Sequence, residues 1–279
     1  ADTDRAEGEA MDISHGISFA RPMQIYAGNY DDITDAAIIV ITAGANQKPG
    51  ETRLDLIKKN AAIMKSIIGE IKKRDFGGIL LIVSNPVDIL TLIALKESGY
   101  PANRVIGSGT VLDTGRFKYL LGEHLDIDSR SVHAFIIGEH GDSELAAWSN
   151  ARIGGLSVND FCELRGHFNH EASMKKIFDD VKNSAYEIIE RKHATYYGIA
   201  MAVKRICEAI VRNEKSILPV SSLMTGEYGL NDVVLSIPSV VGENGVEKVV
   251  PIGLSDNEMA ELKKSADILK DIAKDYIAK

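Results

Sequence analysis

The sequence is poor in cysteine, with only Cys162 and Cys207 among its 279 residues. Two thiols cannot form a disulfide framework or a thiolate zinc site, so we expect neither disulfides nor a bound metal. Long hydrophobic runs are also missing: the longest, residues 36–41, is far below the ~20 residues that a helix needs to cross a bilayer. The sequence therefore predicts no membrane span, and the absence of a signal-peptide pattern predicts a cytoplasmic protein.

An excess of positive charge is lacking as well. The chain has 32 basic and 40 acidic side chains, giving a formal net charge of −8, and it contains no block of lysines and arginines. This balance argues against nonspecific nucleic-acid binding. With 45% apolar residues the chain can bury a large core, and its length predicts one large α/β unit or two lobes.

The first half alternates apolar runs with helical patterns, which is typical of a parallel sheet wrapped by helices. Residues 36–41 and 78–83 are continuous apolar runs and predict strands buried on both faces. Between them, apolar residues recur at spacings of three and four from Ile57 to Ile71, which predicts an amphipathic helix. The second half predicts long helices, a β-hairpin and a C-terminal helix, with the boundary between the lobes near residues 141–150.

Small and polar residues follow four of the predicted strands. These segments are 44–53, 84–88, 107–109 and 138–142. Open parallel sheets bind their ligands at the carboxyl ends of the strands, so the four segments together predict one shared site. Turns made by Gly, Asn and Pro are the simpler interpretation of any single segment, and that interpretation weakens when four segments occur in register.

His140 is the most informative histidine, because it follows a strand directly and lies between Gly138 and Gly141. Its imidazole titrates near neutral pH and can give and take a proton within one turnover. Such a histidine needs a carboxylate that orients it and stabilises the imidazolium. Asp113 is the candidate, with Arg116 three residues later on the same helical face; the alternative is that these two form only a surface ion pair.

Two arginines can bind or polarise an anionic substrate. Arg116 can hold a small carboxylate through both arms of its guanidinium, and Arg53 can stabilise charge that develops on a carbonyl oxygen. Arg53 lies at the end of a loop that contains Gly44 and Gly50, which predicts a lid that closes over the site. A solvated connection between a strand and a helix is the alternative interpretation of that loop.

Five ordered motifs resemble those of the NAD-dependent L-lactate dehydrogenases, over essentially the whole chain; they span residues 43–53, 85–88, 107–117, 137–142 and 194–198. The resemblance implies an α/β fold, with an incomplete Rossmann-like parallel sheet in a partial NAD-binding domain (1–141) and an α+β substrate domain (142–279). The fingerprint Gly-x-Gly-x-x-Gly occurs nowhere, since Leu112 takes the third glycine position after Gly107 and Gly109. We therefore expect that the sequence is an N-terminally incomplete form of an enzyme whose first βαβ unit precedes it.

The resemblance also implies roles for individual residues. His140 would donate the proton to pyruvate, Asp113 would orient it, Arg116 would bind the substrate carboxylate and Arg53 would polarise the ketone. The other residues implied to line the substrate pocket are Gln47, Asn85 and Thr195. Those implied to contact NAD are Gly44, Ala45, Asn85 and Ser108.

Gln47 is the residue expected to separate lactate from malate dehydrogenases. Malate enzymes of this fold carry an arginine at that position, whereas Gln47 is neutral and would leave the second carboxylate of oxaloacetate unpaired, at a cost of several kcal/mol. The adjacent Lys48 leaves open a dehydrogenase for malate or for a larger 2-hydroxy acid. An alternative of another class is a catalytically silent oligomerisation fragment, which the missing glycine fingerprint favours and the retained proton-transfer residues disfavour.

Assembly and regulation follow only from the resemblance. The family is usually homotetrameric, and its bacterial members are often activated by fructose 1,6-bisphosphate at a subunit interface through a histidine and an arginine. His133 matches the histidine, but Lys118 stands in place of the arginine. A lysine attracts phosphate as a point charge without the planar fork of arginine, so we expect weak or absent activation.

Overall fold

The structure is a computed structural model that describes residues 2–45 and 53–277, with the side chains of Arg53, Leu54 and Ile277 outside the description. Its helices, in chain order, are α1 (Thr3–His15), α2 (Arg53–Lys72), α3 (Val87–Ser98), α4 (Val111–Leu125), α5 (Val158–Leu164), α6 (His170–Lys192), α7 (Tyr197–Val211) and α8 (Asp256–Ile277). Within the described ranges, none of these helices combines the length and the hydropathy needed to cross a membrane.

The strands are short, and those of the described residues fall into four sheets. In chain order they are β1 (Ile38–Ile41), β2 (Ile79–Ile82), β3 (Val105–Gly107), β4 (Val132–His133), β5 (Ile136–Ile137), β6 (Leu145–Ala146), β7 (Arg152–Ile153), β8 (Leu156–Ser157), β9 (Ser216–Leu218), β10 (Ser221–Thr225), β11 (Asn231–Ser236), β12 (Ser239–Gly242) and β13 (Gly245–Val249).

The largest sheet has the strand order β1-β2-β3-β10-β11. The strands β1, β2 and β3 are parallel, as the alternation of apolar runs and helices predicts, whereas β10 joins β3 in the antiparallel direction. The sheet therefore combines strands from both halves of the sequence, and the predicted division of the chain between residues 141 and 142 stays a prediction. The carboxyl ends of β1, β2 and β3 meet at one edge, which is where the predicted ligand site lies.

The sequence prediction of burial on both faces holds for β2 and is wrong for β1. All four residues of β2 are buried, because it lies between two strands and under helices. In β1 only Ile41 is buried, and the side chain of Val40 is 37% exposed. The reason is its position, because β1 is the edge strand of this sheet within the described part of the chain.

The helices that carry the site are fixed by their apolar faces. In α2 the predicted periodicity is confirmed, since Ile57, Met64, Ile68 and Ile71 are all buried against α3 and the sheet. The helix α4 packs on α6 in a second core, where the ring of Phe117 meets that of Trp148 edge-on at 4.7 Å. These contacts hold the amino-terminal turns of α3 and α4 near the carboxyl edge of the large sheet.

The C-terminal helix α8 begins as the sequence predicts. The hydroxyl of Ser255 accepts a hydrogen bond from the amide of Glu258 at 3.3 Å, and the carboxylate of Glu258 accepts one from the amide of Ser255 at 2.8 Å. This reciprocal pair is the predicted capping box, and it satisfies two amides that the first turn leaves without helical partners.

Candidate active site

His140 lies two residues beyond Gly138, where the chain leaves β5. Gly138 and Ser236 exchange both backbone hydrogen bonds at 2.9 Å, which fixes the chain at the edge of the large sheet. Gly138 has φ +90° and Gly141 has φ +155°, conformations in which a side chain would be strained. The two glycines thus allow the sharp path that turns His140 toward the carboxyl ends of the parallel strands.

His140, Asp113 and Arg116 form one connected group. Nδ1 of His140 lies 2.5 Å from Oδ2 of Asp113, and Nη1 of Arg116 donates to Oδ1 of the same carboxylate at 2.8 Å. Both partners come from the first turns of α4, where a separation of three residues puts them on one face. The side chain of Asp113 is 3% exposed and that of Arg116 14%, so the alternative of a surface ion pair is wrong.

Charge shifts the pKa values of this group in opposite directions. Burial alone would lower the pKa of His140, but the adjacent Asp113 carboxylate, with smaller effects from Asp88 and Glu144, outweighs it and raises that pKa to about 9. Burial would raise the pKa of Asp113, whereas the His140 imidazolium and the Arg116 guanidinium together lower it. At neutral pH the group therefore holds a protonated imidazole beside an ionised carboxylate.

A single cavity of about 310 Å³ contains the predicted proton donor, its carboxylate and one arginine. Asn85, which follows β2, lies on the same wall, and α2 contributes Leu56 and Ile57. The helix α6 closes the opposite side; the full lining is Leu56, Ile57, Asn85, Pro86, Asp113, Arg116, His140, Gly141, Asp142, Glu144, Lys182, Ala185, Tyr186 and Ile189. This arrangement can bind a small anion and transfer a proton to it.

Comparison with known protein families identifies the family to which the chain belongs. A family model described as the lactate/malate dehydrogenase NAD binding domain matches residues 1–107, and one described as the lactate/malate dehydrogenase alpha/beta C-terminal domain matches residues 110–279. The chain belongs to the lactate/malate dehydrogenase family. The sequence prediction of this family is therefore confirmed.

Individual members of the family agree. The chain is 56% identical to an L-lactate dehydrogenase of Acetivibrio thermocellus over 97% of its own length and 85% of that protein. It is also 56% identical to L-lactate dehydrogenase 1 of Clostridium acetobutylicum, over 96% of the chain and 86% of the relative. These relatives confirm the predicted L-lactate dehydrogenase, an oxidoreductase with NAD as its cofactor.

Solved structures of the family share the fold. The crystal structure of the minor L-lactate dehydrogenase from Enterococcus mundtii, in its ligands-bound form, has a TM-score of 0.96 and 44% identity, and the match covers all of this chain and 89% of the other. A lactate dehydrogenase from a deep-sea metagenome library has a TM-score of 0.95 and 48% identity, over all of this chain and 88% of the other. The predicted α/β fold is confirmed.

The described residues fit the nicotinamide end of the family's cofactor. The side-chain amide of Asn85 offers a donor and an acceptor beside His140, the pair of groups that a carboxamide needs. Gly44 and Ala45 follow β1, and Ser108 follows β3 with its amide bonded to Ile82 at 2.8 Å. All four predicted NAD contacts thus lie at the carboxyl ends of the parallel strands.

Asn60 connects two loops at this edge of the sheet, and the sequence did not predict it as a site residue. It is 3% exposed in α2; its side-chain oxygen accepts the amide of Ala45 at 2.8 Å and its side-chain NH₂ donates to the carbonyl of Asn85 at 2.8 Å. A polar residue next to Ala61 on the apolar face of α2 is the signal that identifies it. Asn60 therefore ties together the loops that follow β1 and β2.

Several predicted residues lie elsewhere. Thr195 is half-buried between α6 and α7 and is not among the residues that line the cavity. Gln47 lies outside the described residues, as does the side chain of Arg53. His133 is exposed on β4, and Lys118 is half-buried on α4, where burial lowers the pKa of its amine.

Glu144, Lys182 and Tyr186 line the cavity and were missed in the sequence. Burial, followed by repulsion from the Asp113 carboxylate, raises the pKa of Glu144 to about 8. Glu144 has ligand atoms within 4.8 Å of those of Asp113 and His140, the spacing of a metal site. We assign no metal there, because both oxygens of Asp113 already accept hydrogen bonds, one of them from a guanidinium.

Proposed function

We propose that the chain catalyses the reversible reduction of pyruvate to L-lactate, with NADH as the hydride donor and His140 as the proton donor. The observation that carries the proposal is the group of His140, Asp113 and Arg116 on the wall of one cavity, joined by contacts of 2.5 and 2.8 Å. A protonated imidazole and a guanidinium are the two groups that reduction of a 2-oxo acid needs at its oxygen and at its carboxylate.

Each residue of the group has a separate role in the proposed reaction. NADH, when bound, supplies the hydride. Arg116 binds the carboxylate of pyruvate, while the imidazolium of His140 hydrogen-bonds to the ketone oxygen and gives it a proton as negative charge develops there. Asp113 remains ionised and holds the ring in one orientation. In lactate oxidation the neutral imidazole takes the hydroxyl proton back.

Three further residues complete the proposed site. Arg53, at the amino end of α2, polarises the ketone when its loop closes and water is excluded. Asn85 binds the nicotinamide carboxamide, and Thr195 contacts the substrate from the segment between α6 and α7. We further propose a cytoplasmic homotetramer that binds pyruvate and lactate.

Substrate selection by Gln47 provides the test of the proposed function. The wild-type chain is expected to reduce pyruvate with NADH much faster than oxaloacetate, because nothing at residue 47 pairs the second carboxylate. Gln47→Arg should shift the ratio of kcat/KM values toward oxaloacetate by roughly 10²-fold or more, since an unpaired buried charge costs about 3–5 kcal/mol. Initial rates with both oxo acids measure this ratio.

The control for this experiment is Lys48→Arg, which keeps the charge of the neighbouring residue and should leave the ratio unchanged. A wild-type chain that prefers oxaloacetate would overturn the assignment to lactate. Equal ratios for wild type and Gln47→Arg would remove residue 47 from the substrate pocket.

Activation by fructose 1,6-bisphosphate is expected to be weak. His133 is available on the surface, but Lys118 binds phosphate without a guanidinium fork. Adding the sugar bisphosphate should therefore leave the pyruvate concentration at half-maximal rate nearly unchanged, and Lys118→Arg should increase the response. A large fall of that concentration in the wild type would show that Lys118 is sufficient.

A further inference from the structure

Asp88 is a buried carboxylate that the mechanism above does not use. It lies in the first turn of α3 and is 2% exposed. Its Oδ2 accepts the backbone amide of His140 at 2.8 Å, and its Oδ1 accepts the hydroxyl of Ser221 on β10 at 2.5 Å. Asp88 is not among the residues that line the cavity. It contacts the backbone amide of His140 and not the imidazole ring.

The Ser221 hydroxyl extends this contact toward α4. Ser221 and Ser236 have their hydroxyl oxygens 3.2 Å apart, and that of Ser236 accepts the amide of Thr110 at 3.1 Å. Thr110 precedes α4, the helix that carries Asp113, and its own hydroxyl donates to the carbonyl of Ile136 in the strand before His140 at 2.6 Å. The proton donor and its orienting carboxylate are thus anchored to the same buried network.

The centre of this hydrogen-bond network is tightly packed. Both serines are fully buried, and a side chain at Gly109 would approach the Ser236 hydroxyl to 2.5 Å and the Ser221 amide to 2.6 Å. When one partner of such a buried, hydrogen-bonded ion is removed, a polar group is left unsatisfied where water cannot replace the partner. The position of the Asp88 carboxylate is therefore transmitted directly to the His140 main chain.

The charge of Asp88 also acts on His140. Desolvation raises the pKa of Asp88 to about 6, against the hydrogen bonds from Ser221 and the His140 amide that favour the ionised form, so the group is mainly a carboxylate above neutral pH. The other titratable groups around His140 are Asp113 and Arg116 on α4, Glu139, Asp142 and Glu144 in its own loop, and Lys182 on α6. Among them Asp88 is the one that hydrogen-bonds to the main chain of His140.

We propose that Asp88 is a positioning residue for His140: it fixes the main chain so that the ring faces Asp113 on one side and the cavity on the other, and its negative charge stabilises the imidazolium. The proposal rests on the proposed function, since it concerns the same proton donor. Asp88 is not among the residues that line the cavity, so its effect reaches the reaction through His140.

The decisive variant is Asp88→Asn, which keeps the shape of the side chain and an acceptor for the His140 amide but removes the charge. In the full chain we expect the pH at which pyruvate reduction falls to decrease by about one unit, with little change in the KM for pyruvate. The midpoint of the His140 imidazole titration, followed by NMR of the ¹⁵N-labelled chain, should decrease by the same amount. A carboxylate with a merely structural role would change the melting temperature and leave both midpoints in place.

Two further variants separate position from charge. Asp88→Ala removes the anchor, and kcat should fall by roughly 10²-fold because the ring is misplaced. If that variant does not fold, Ser221→Ala removes the Oδ1 contact of Asp88 together with the hydroxyl contact to Ser236, leaves the bond from Asp88 to the His140 amide in place, and should lower kcat to a smaller extent. The control is Ser98→Ala, a buried hydroxyl at the opposite end of α3 that bonds to Leu95 and Tyr100. It should leave both midpoints and kcat unchanged.

The outcomes distinguish this inference from the proposed function. A wild type that reduces pyruvate, together with an Asp88→Asn variant whose two midpoints equal those of the wild type, overturns the role of Asp88 alone. A wild type without pyruvate activity overturns the proposed function, whereas the NMR titration still measures whether Asp88 acts on His140.

Discussion

Replacing Asp113 with asparagine is expected to lower kcat/KM for pyruvate by roughly 10³–10⁴-fold, the size of effect seen when the orienting carboxylate of a catalytic histidine is neutralised. Asp113 is the main reason that the pKa of His140 is raised to about 9 despite burial. Without that charge, burial is opposed only by the weaker effects of Asp88 and Glu144, so the pKa of His140 falls. At pH 7 a smaller fraction of the imidazole then carries a proton to give to the ketone.

Because the variant lowers the pKa of His140, it should reduce the rate of pyruvate reduction more than the rate of lactate oxidation. Pyruvate reduction needs the imidazolium, so in the wild type it should decline as the pH rises through about 9, and in Asp113→Asn the decline should move to lower pH. Lactate oxidation needs the neutral imidazole and should lose much less activity in the variant. Measurement of kcat/KM in both directions between pH 5 and 10 tests this, and equal losses at all pH values would contradict it.

The control for Asp113→Asn is Asp128→Asn. Asp128 also pairs with an arginine, Arg130, but this pair lies on the surface, where the side chain of Arg130 is 89% exposed. Removing the Asp128 charge should leave both pH profiles unchanged. The comparison therefore isolates the effect of a carboxylate that is buried next to the proton donor.

Local patterns in the sequence predicted the elements that carry the site. The apolar spacing from Ile57 to Ile71 predicted α2, since a helix buries residues three and four apart on one face. The separation of three residues between Asp113 and Arg116 predicted a pair on one face of α4. Each of these inferences depends on neighbours in the chain, and the structure agrees with it.

Features that depend on distant residues were not accessible in this way. Lys182 and Tyr186 belong to an amphipathic helix, and its sequence does not indicate which of its residues face the cavity. Both side chains contact Asp142, some forty positions earlier in the chain. The burial of Asp88 depends on β10, more than 130 positions later. The exposure of β1 depends on which strands stand beside it, and a run of apolar residues does not contain that information.

Replacing Arg116 with leucine should raise the KM for pyruvate and lower kcat/KM by roughly 10²–10⁴-fold, since loss of one partner from a buried charge pair costs about 3–5 kcal/mol. Arg116→Lys keeps the positive charge without the planar fork and should recover only part of this loss, mainly in kcat, because Asp113 regains a cation. The exposed Arg130→Leu is the matched control and should leave KM unchanged. An Arg116→Leu chain with the wild-type KM for pyruvate would place the substrate carboxylate elsewhere in the cavity, with Lys182 as the next cation on its wall.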